Sequence, residues 1–151
     1  RLKNVELKKA HEEIVEKNKE ILDSITYAQR IQKAILPPDN VIKKHLQDSF
    51  IIYKPKDIVA GDFYWLESVK EKIIFAAADC TGHGVPGAMV SLVCEQALDQ
   101  SLKEHNLVNT NDILEKASEL VTATFSKSER EIKDGMDISL CALNTMNEKI
   151  K

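Results

Sequence analysis

From Leu2 to Leu36 the chain contains neither proline nor glycine, and Leu7, Ile14, Ile21, Ala28 and Ile35 recur at every seventh position. A seven-residue apolar repeat keeps one stripe on one side of an α-helix, so this run reads as a single long helix. Val15, Leu22, Ile25 and Ile31 widen the stripe, while Asn4, His11, Asn18 and Gln32 occupy the row four residues further along. Taken as the d and a seams of a coiled coil, the rows predict a parallel helical dimer through Leu7, Ile14, Asn18, Ile21, Ile25 and Ala28. Asn18 would be the polar seam residue that sets register at some cost in stability. An amphipathic helix laid on its own domain has the same periodicity and stays open as the alternative. Pro37-Pro38 ends the segment, because proline lacks the amide donor and restricts the residue before it.

Beyond the prolines the period changes. Asp39 to Gln47 suit a short connecting helix. Phe50 to Tyr53, Phe63 to Leu66 and Ile73 to Ala78 are β-rich runs separated by Lys-Pro-Lys-Asp and by a charged turn from Glu67 to Lys72, the second and third reading as a hairpin. Ala88 to Lys103 is apolar at helical spacing through Met89, Leu92, Val93, Ala97 and Leu98. A second helix follows, with Asn111 as its expected cap and Ile113, Leu114, Ala117, Leu120, Val121, Thr124 and Phe125 on its face. Asp137 to Leu143 reads as a buried strand. Strands, then two helices, then a strand predict an α+β layer with a helix pair over one face of a sheet. The division expected is a coiled-coil or linker helix at 1–36 and a domain, left unfinished at its C-terminal end, at 37–151.

Among 151 residues, 43% are hydrophobic, enough for one cored domain with an appendage. A formal net charge of -3 gives no electrostatic argument for nucleic acid or an anionic membrane. Cys80, Cys94 and Cys141 are odd in number, widely spaced and form no CxxC pair, which indicates neither a disulfide framework nor a zinc site and fits a reducing, cytoplasmic setting. No apolar run approaches the roughly 20 residues needed to span a bilayer.

The chemistry concentrates in two segments, Gly61-Asp62-Phe63-Tyr64-Trp65 and Asp79-Cys80-Thr81-Gly82-His83-Gly84-Val85-Pro86-Gly87-Ala88. Asp79 would project from the end of a strand covering Lys72 to Ala78, and Asp62 lies beyond the strand-like Phe50 to Tyr53. Two carboxylates beside glycines suit a hard cation such as magnesium or manganese, which prefers oxygen ligands. Gly61, Gly82 and Gly84 would permit close backbone approach, and a peptide carbonyl after Asp79 could complete a ligand set. Aspartate and glycine are also ordinary turn residues, so spacing alone leaves two plain loop aspartates as an alternative.

These two segments, with Ile31 to Pro38 ahead of them and Gly135-Met136-Asp137-Ile138-Ser139-Leu140 after, resemble the metal-dependent protein serine/threonine phosphatases of the PPM family, in their SpoIIE-like bacterial branch. The resemblance runs from about Ile31 through Leu143. It implies part of a PPM-type αββα sandwich, two Mn²⁺ or Mg²⁺ ions, and hydrolysis of phosphoserine or phosphothreonine in a signalling phosphoprotein without a covalent enzyme intermediate. Asp62 and Asp79 would be metal ligands acting through metal-bound water, with the Cys80 backbone carbonyl beside them. His83 would shape the turn rather than bind metal. A general-acid role for it ranks lower.

The family's further acidic ligand in a Ser/Thr-Asp-Gly motif has no counterpart after Leu143, so the chain alone is expected to bind metal weakly and to turn over little. Asp137 is read first as structural, with a secondary reading as a ligand. Lys54 and Lys56 could neutralise a phosphate, although exposed turn lysines are the plainer reading. Tyr64 and Trp65 are expected to pack the sandwich. No arginine stands five residues after Cys80, and nothing nearby would activate its thiol. The expected partners are a phosphoprotein, a second copy through the N-terminal helix, and an upstream sensory domain in a longer parent. A dimerisation or scaffold module that keeps the fold without catalysis is the competing reading.

Overall fold

The computed structural model describes residues 2–127 and 134–145. Helix α1 spans Leu2–Ile35, without a break, as the absence of proline and glycine requires. Val5, Leu7, Ile14, Val15, Ile21 and Leu22 each remain more than half exposed, whereas Gln32 and Leu36 are buried against the rest of the chain. The C-terminal end of the helix is therefore docked and the apolar stripe ahead of it is not. Gln32, expected in the second seam row, belongs instead to the domain's interior. Ile25 and Ala28 are half-buried. After Pro37-Pro38 a short helix, α2, covers Asp39–His45 and buries Ile42.

Strands β1 (Phe63–Val69) and β2 (Lys72–Cys80) form the expected antiparallel hairpin, and β3 (Met136–Asn144) pairs antiparallel along the other edge of β2. The expected six-residue turn shrinks to Lys70 and Glu71, with Lys70 at φ 53°. Glu67 to Val69 join the strand because each has a partner on β2. Helices α3 (Gly84–Lys103) and α4 (Thr110–Phe125) cover one face of the sheet. Side chains alternate along a strand. Phe63 and Trp65 of β1 and Ile74, Ala76, Ala78 and Cys80 of β2 therefore meet Val90, Cys94, Leu98, Ile113 and Ala117 in one core. Trp65 is buried and donates its indole N–H to Asp99 at 2.9 Å. Lys103 in turn bridges Asp99 at 2.6 Å and Glu67 at 2.7 Å.

Four further expectations change. Phe50 to Tyr53 is not a strand: no ladder partner lies beside it among the described residues, and Phe50 and Ile52 are 82% and 76% exposed. A β-rich composition cannot supply the hydrogen-bonding neighbour that makes a strand. Helix α3 begins at Gly84 rather than Ala88, since Pro86 falls in the first turn, where its missing amide proton costs nothing. Helix α4 takes Asn109 rather than Asn111 as its cap. Finally, β3 is half covered and not buried, because the helices reach only its Met136, Ile138 and Leu140 face. The opposite face, with Tyr64, Phe75, Ala77 and Ser139, opens on a cavity of about 1040 Å³ walled by the 49–54 segment.

Candidate metal centre

Antiparallel register determines where the carboxylates stand. Phe63 lies opposite Ala78, so Asp62, one residue earlier, falls opposite Asp79, one residue later. Asp79 itself pairs with Asp137 across β2 and β3. Strand β2 runs on to Cys80, so Asp79 is inside the strand and not beyond its end. Asp62 sits at the head of β1 and does not follow a strand through Phe50 to Tyr53. The result is a row of three aspartates across one end of the sheet, all exposed and all lining the open cavity.

Like charges opposite one another on a sheet are destabilising. Here the effect is visible at Asp62, whose carboxyl is held above the usual carboxylate range by burial, then by hydrogen bonding to Asp79 and by the charge of Asp79. Among the described residues no ion pair reaches Asp62, Asp79 or Asp137. Lys54 lines the same cavity and Lys56 is exposed. The donor set is oxygen only and lacks a compensating positive charge, which fits a hard divalent cation. It is also incomplete: among the described residues no three His, Cys, Asp or Glu side chains gather closely enough to hold an ion.

Glycines hold the two carboxylate segments together. A Cβ on Gly61 would stand 2.6 Å from the Gly82 carbonyl oxygen and 3.0 Å from that of Cys80. One on Gly87 would stand 2.5 Å from the same Gly82 oxygen and 3.2 Å from the Gly61 Cα. The Gly82 carbonyl is thus pressed between two bare Cα atoms, with Gly82 itself at φ +88°. Gly87 lies inside the Asp79–Ala88 segment, but the sequence gives it no role of its own. Its signal was a glycine in a helix's opening turns, where alanine has the better propensity and only close packing argues for its absence.

The Cys80 carbonyl faces Gly61, just ahead of Asp62, while the Cys80 side chain turns into the core. Its hydrogen bond with Cys94, together with burial, pushes the Cys80 thiol up, so it is no nucleophile. Thr81 was also missed by sequence reasoning. Its N–H donates to the Gly135 carbonyl at 3.0 Å and its Oγ1 accepts from the Gly135 N–H at 3.1 Å, tying the turn after Asp79 to the approach to Asp137. His83 caps α3 by position only; its Nδ1 lies 3.1 Å from Asp57.

The segment leading to Asp62 is fastened to α1. Gln29 Nε2 donates to the Ile58 carbonyl at 2.6 Å. Gln32 donates to the Ala60 carbonyl at 2.6 Å and accepts from the Ala60 N–H at 3.0 Å, and its Nε2 also reaches Ser91 Oγ at 3.0 Å. No helix among the described residues is long and apolar enough to cross a membrane.

No family model matches the chain, and no curated protein does. Among solved structures it is similar to the SiaA-PP2C domain of Pseudomonas aeruginosa, with 32% identity and a TM-score of 0.74. The match covers 85% of this chain and 50% of that one, so this chain spans half the length of the solved chain it matches.

Proposed function

We propose, on the premise that this chain carries part of a PP2C-type (PPM) phosphatase fold, that it contributes to metal-dependent hydrolysis of phosphoserine or phosphothreonine in a signalling phosphoprotein. The observation that carries the reading is the placement of Asp62 opposite Asp79 at the end of a PP2C-like sheet, held there by Gly61, Gly82 and Gly87. Asp62 and Asp79 would hold the divalent ion, Mn²⁺ or Mg²⁺, with the Cys80 carbonyl and Asp137 as neighbouring oxygen donors. Two such ions, when bound, supply an activated water for in-line attack on phosphorus and neutralise the phosphoryl oxygens.

The chain's own residues supply the frame. Pairing in β1, β2 and β3 fixes the spacing of the three aspartates, and the open sheet face gives a phosphopeptide room to approach. Lys54, on the cavity wall, is positioned to meet phosphate charge. The chain spans half the length of the chain it matches, and in this reading its aspartates alone support little turnover.

Control comes through α1 in this reading. The exposed stripe of Leu7, Ile14 and Ile21 pairs with a second copy, and Asn18 sets the register. Gln29 and Gln32 then carry any rotation of the helix to the backbone leading into Asp62. An upstream sensory domain in a cytoplasmic, SpoIIE-like parent would drive that rotation. The competing reading, a scaffold that keeps the fold without catalysis, is favoured by the lack of a three-ligand group among the described residues.

Calorimetric Mn²⁺ titration with p-nitrophenyl phosphate hydrolysis, on this chain, on Asp79→Asn and on a longer form of the protein, tests the choice. Binding and turnover in the longer form that vanish with Asp79→Asn are expected. A folded longer form that neither binds Mn²⁺ nor turns over would leave the scaffold reading.

A further inference from the structure

Residues 57–60 form a strap fastened at both ends. Toward α1, the Ile58 carbonyl accepts from Gln29 and Ala60 exchanges two hydrogen bonds with Gln32, while Val59 is buried at 1% exposure. Toward the sheet, Asp57 Oδ2 lies 3.1 Å from His83 Nδ1. A carboxylate accepts, so Nδ1 is the donating ring nitrogen in this contact.

The same carboxylate meets a need of α3. That helix has no acidic residue in its first turn, and His83 makes no side-chain capping bond. Asp57 Oδ2 lies within 3.5 Å of where a Cβ on Gly84 would stand, so negative charge from another loop sits at the positive end of a 20-residue helix. His83 ends the short turn that follows β2, the strand carrying Asp79, and Gly84 opens α3.

We propose that Asp57 is a positioning residue that couples the α1-anchored strap to the Asp79 turn, so that α1 bears on both carboxylate segments at once. It reaches Asp62 through Ala60 and Asp79 through the Asp57–His83 contact. The functional consequence rests on the metal-phosphatase reading; the coupling itself does not, and it is measurable without metal or turnover.

Amide hydrogen exchange and imidazole ¹⁵N shifts of the metal-free protein test it. Asp57→Ala is expected to speed exchange at Gly82 to Val85 about five-fold, the scale of one lost hydrogen bond, while β2 amides at Ile74 to Ala78 hold their rates. His83 should lose its single Nδ1–H tautomer in Asp57→Ala and regain it in Asp57→Glu, a signature that mere loop loosening would not produce. The decisive comparison is a double-mutant cycle with Gln29→Ala. Gln29→Ala should shift the amides of Thr81 to Gly84 when Asp57 is present and leave them unmoved when it is alanine. Equal shifts in both backgrounds would overturn the proposal, as would a mixed His83 tautomer in the unmodified protein. If Asp57→Ala fails to fold, Asp57→Asn, which keeps an acceptor and loses the charge, takes its place with intermediate effects expected. Loss of Mn²⁺ binding in the longer protein would count against the phosphatase reading alone.

Discussion

Gln32 and Ala60 pair as two strand residues would: the side-chain amide donates to the Ala60 carbonyl at 2.6 Å and accepts from the Ala60 N–H at 3.0 Å. A helix side chain thereby stands in for a missing backbone neighbour. Gln32→Ala would leave a buried N–H and a buried C=O without partners, a loss of about 2 kcal/mol or more. Urea unfolding should show the midpoint fall with the slope unchanged. An unchanged midpoint would mean that water takes the amide's place.

Where the Gly82 carbonyl crosses Gly61 and Gly87, neither of those two residues has space for a methyl group. Gly87→Ala and Gly61→Ala would each force a Cβ to within 2.5 Å and 2.6 Å of the Gly82 oxygen, a backbone atom that cannot swing aside. Each should cost about 2 kcal/mol or more, within the range of overpacked cores. Gly135→Ala, with nothing within 4 Å of the added atom, should stay within about 0.5 kcal/mol of the parent. Thermal melts of the three variants make the comparison.

Glu95 gives the protein a pH dependence. Burial, with Asp99 and Glu67 adding to it and Lys103 opposing, pushes its carboxyl up to about 7. A folded-state value above the unfolded one means the stabilisation is full below about 4.5 and is lost as pH rises through about 7. Glu95 is only partly covered, and solvent screening should hold the loss to about 1 kcal/mol. Glu95→Gln should flatten this fall between pH 5 and pH 8 in denaturant titrations; an equally steep fall in the variant would place the titration elsewhere.

Asp79→Asn should separate stability from ligand binding. Removing that charge relieves Asp62, whose carboxyl Asp79 helps to hold above its usual range, so the metal-free variant should gain a few tenths of a kcal/mol at pH 7. Any rise in melting temperature with millimolar Mn²⁺ should vanish in the same variant. A variant less stable than the parent without metal would mean that Asp79 is held by contacts of its own.

Self-association through α1 is best tested at Ile14 and Ile21, which are 58% and 56% exposed, rather than at Ile25, which the protein's own domain half covers. Changing both to serine should lower the sedimenting mass to that of a monomer without altering the melting of the sheet. Unchanged mass would remove the coiled-coil dimer.

What was legible in the sequence was whatever a local pattern encodes. The unbroken run to Leu36, the Pro37-Pro38 stop, the β1–β2 hairpin and both covering helices follow from periodicity and backbone chemistry that act within a few residues. Asp62 and Asp79 stand out in the sequence as carboxylates close to glycine, whereas their position opposite one another comes only from the β1–β2 register. Phe50 to Tyr53 failed because a strand needs a partner, which composition does not provide. Gln32 sits in a heptad row yet faces the domain, because the row does not say which side of the helix the domain will claim. Only the tertiary structure aligned Asp137 with Asp79, wedged the Gly82 carbonyl between Gly61 and Gly87, and brought Asp57 to His83. Apart from the Gly82–Gly87 approach, these contacts join residues distant along the chain, so they depend on strand register and helix docking, which are settled by packing the whole core at once.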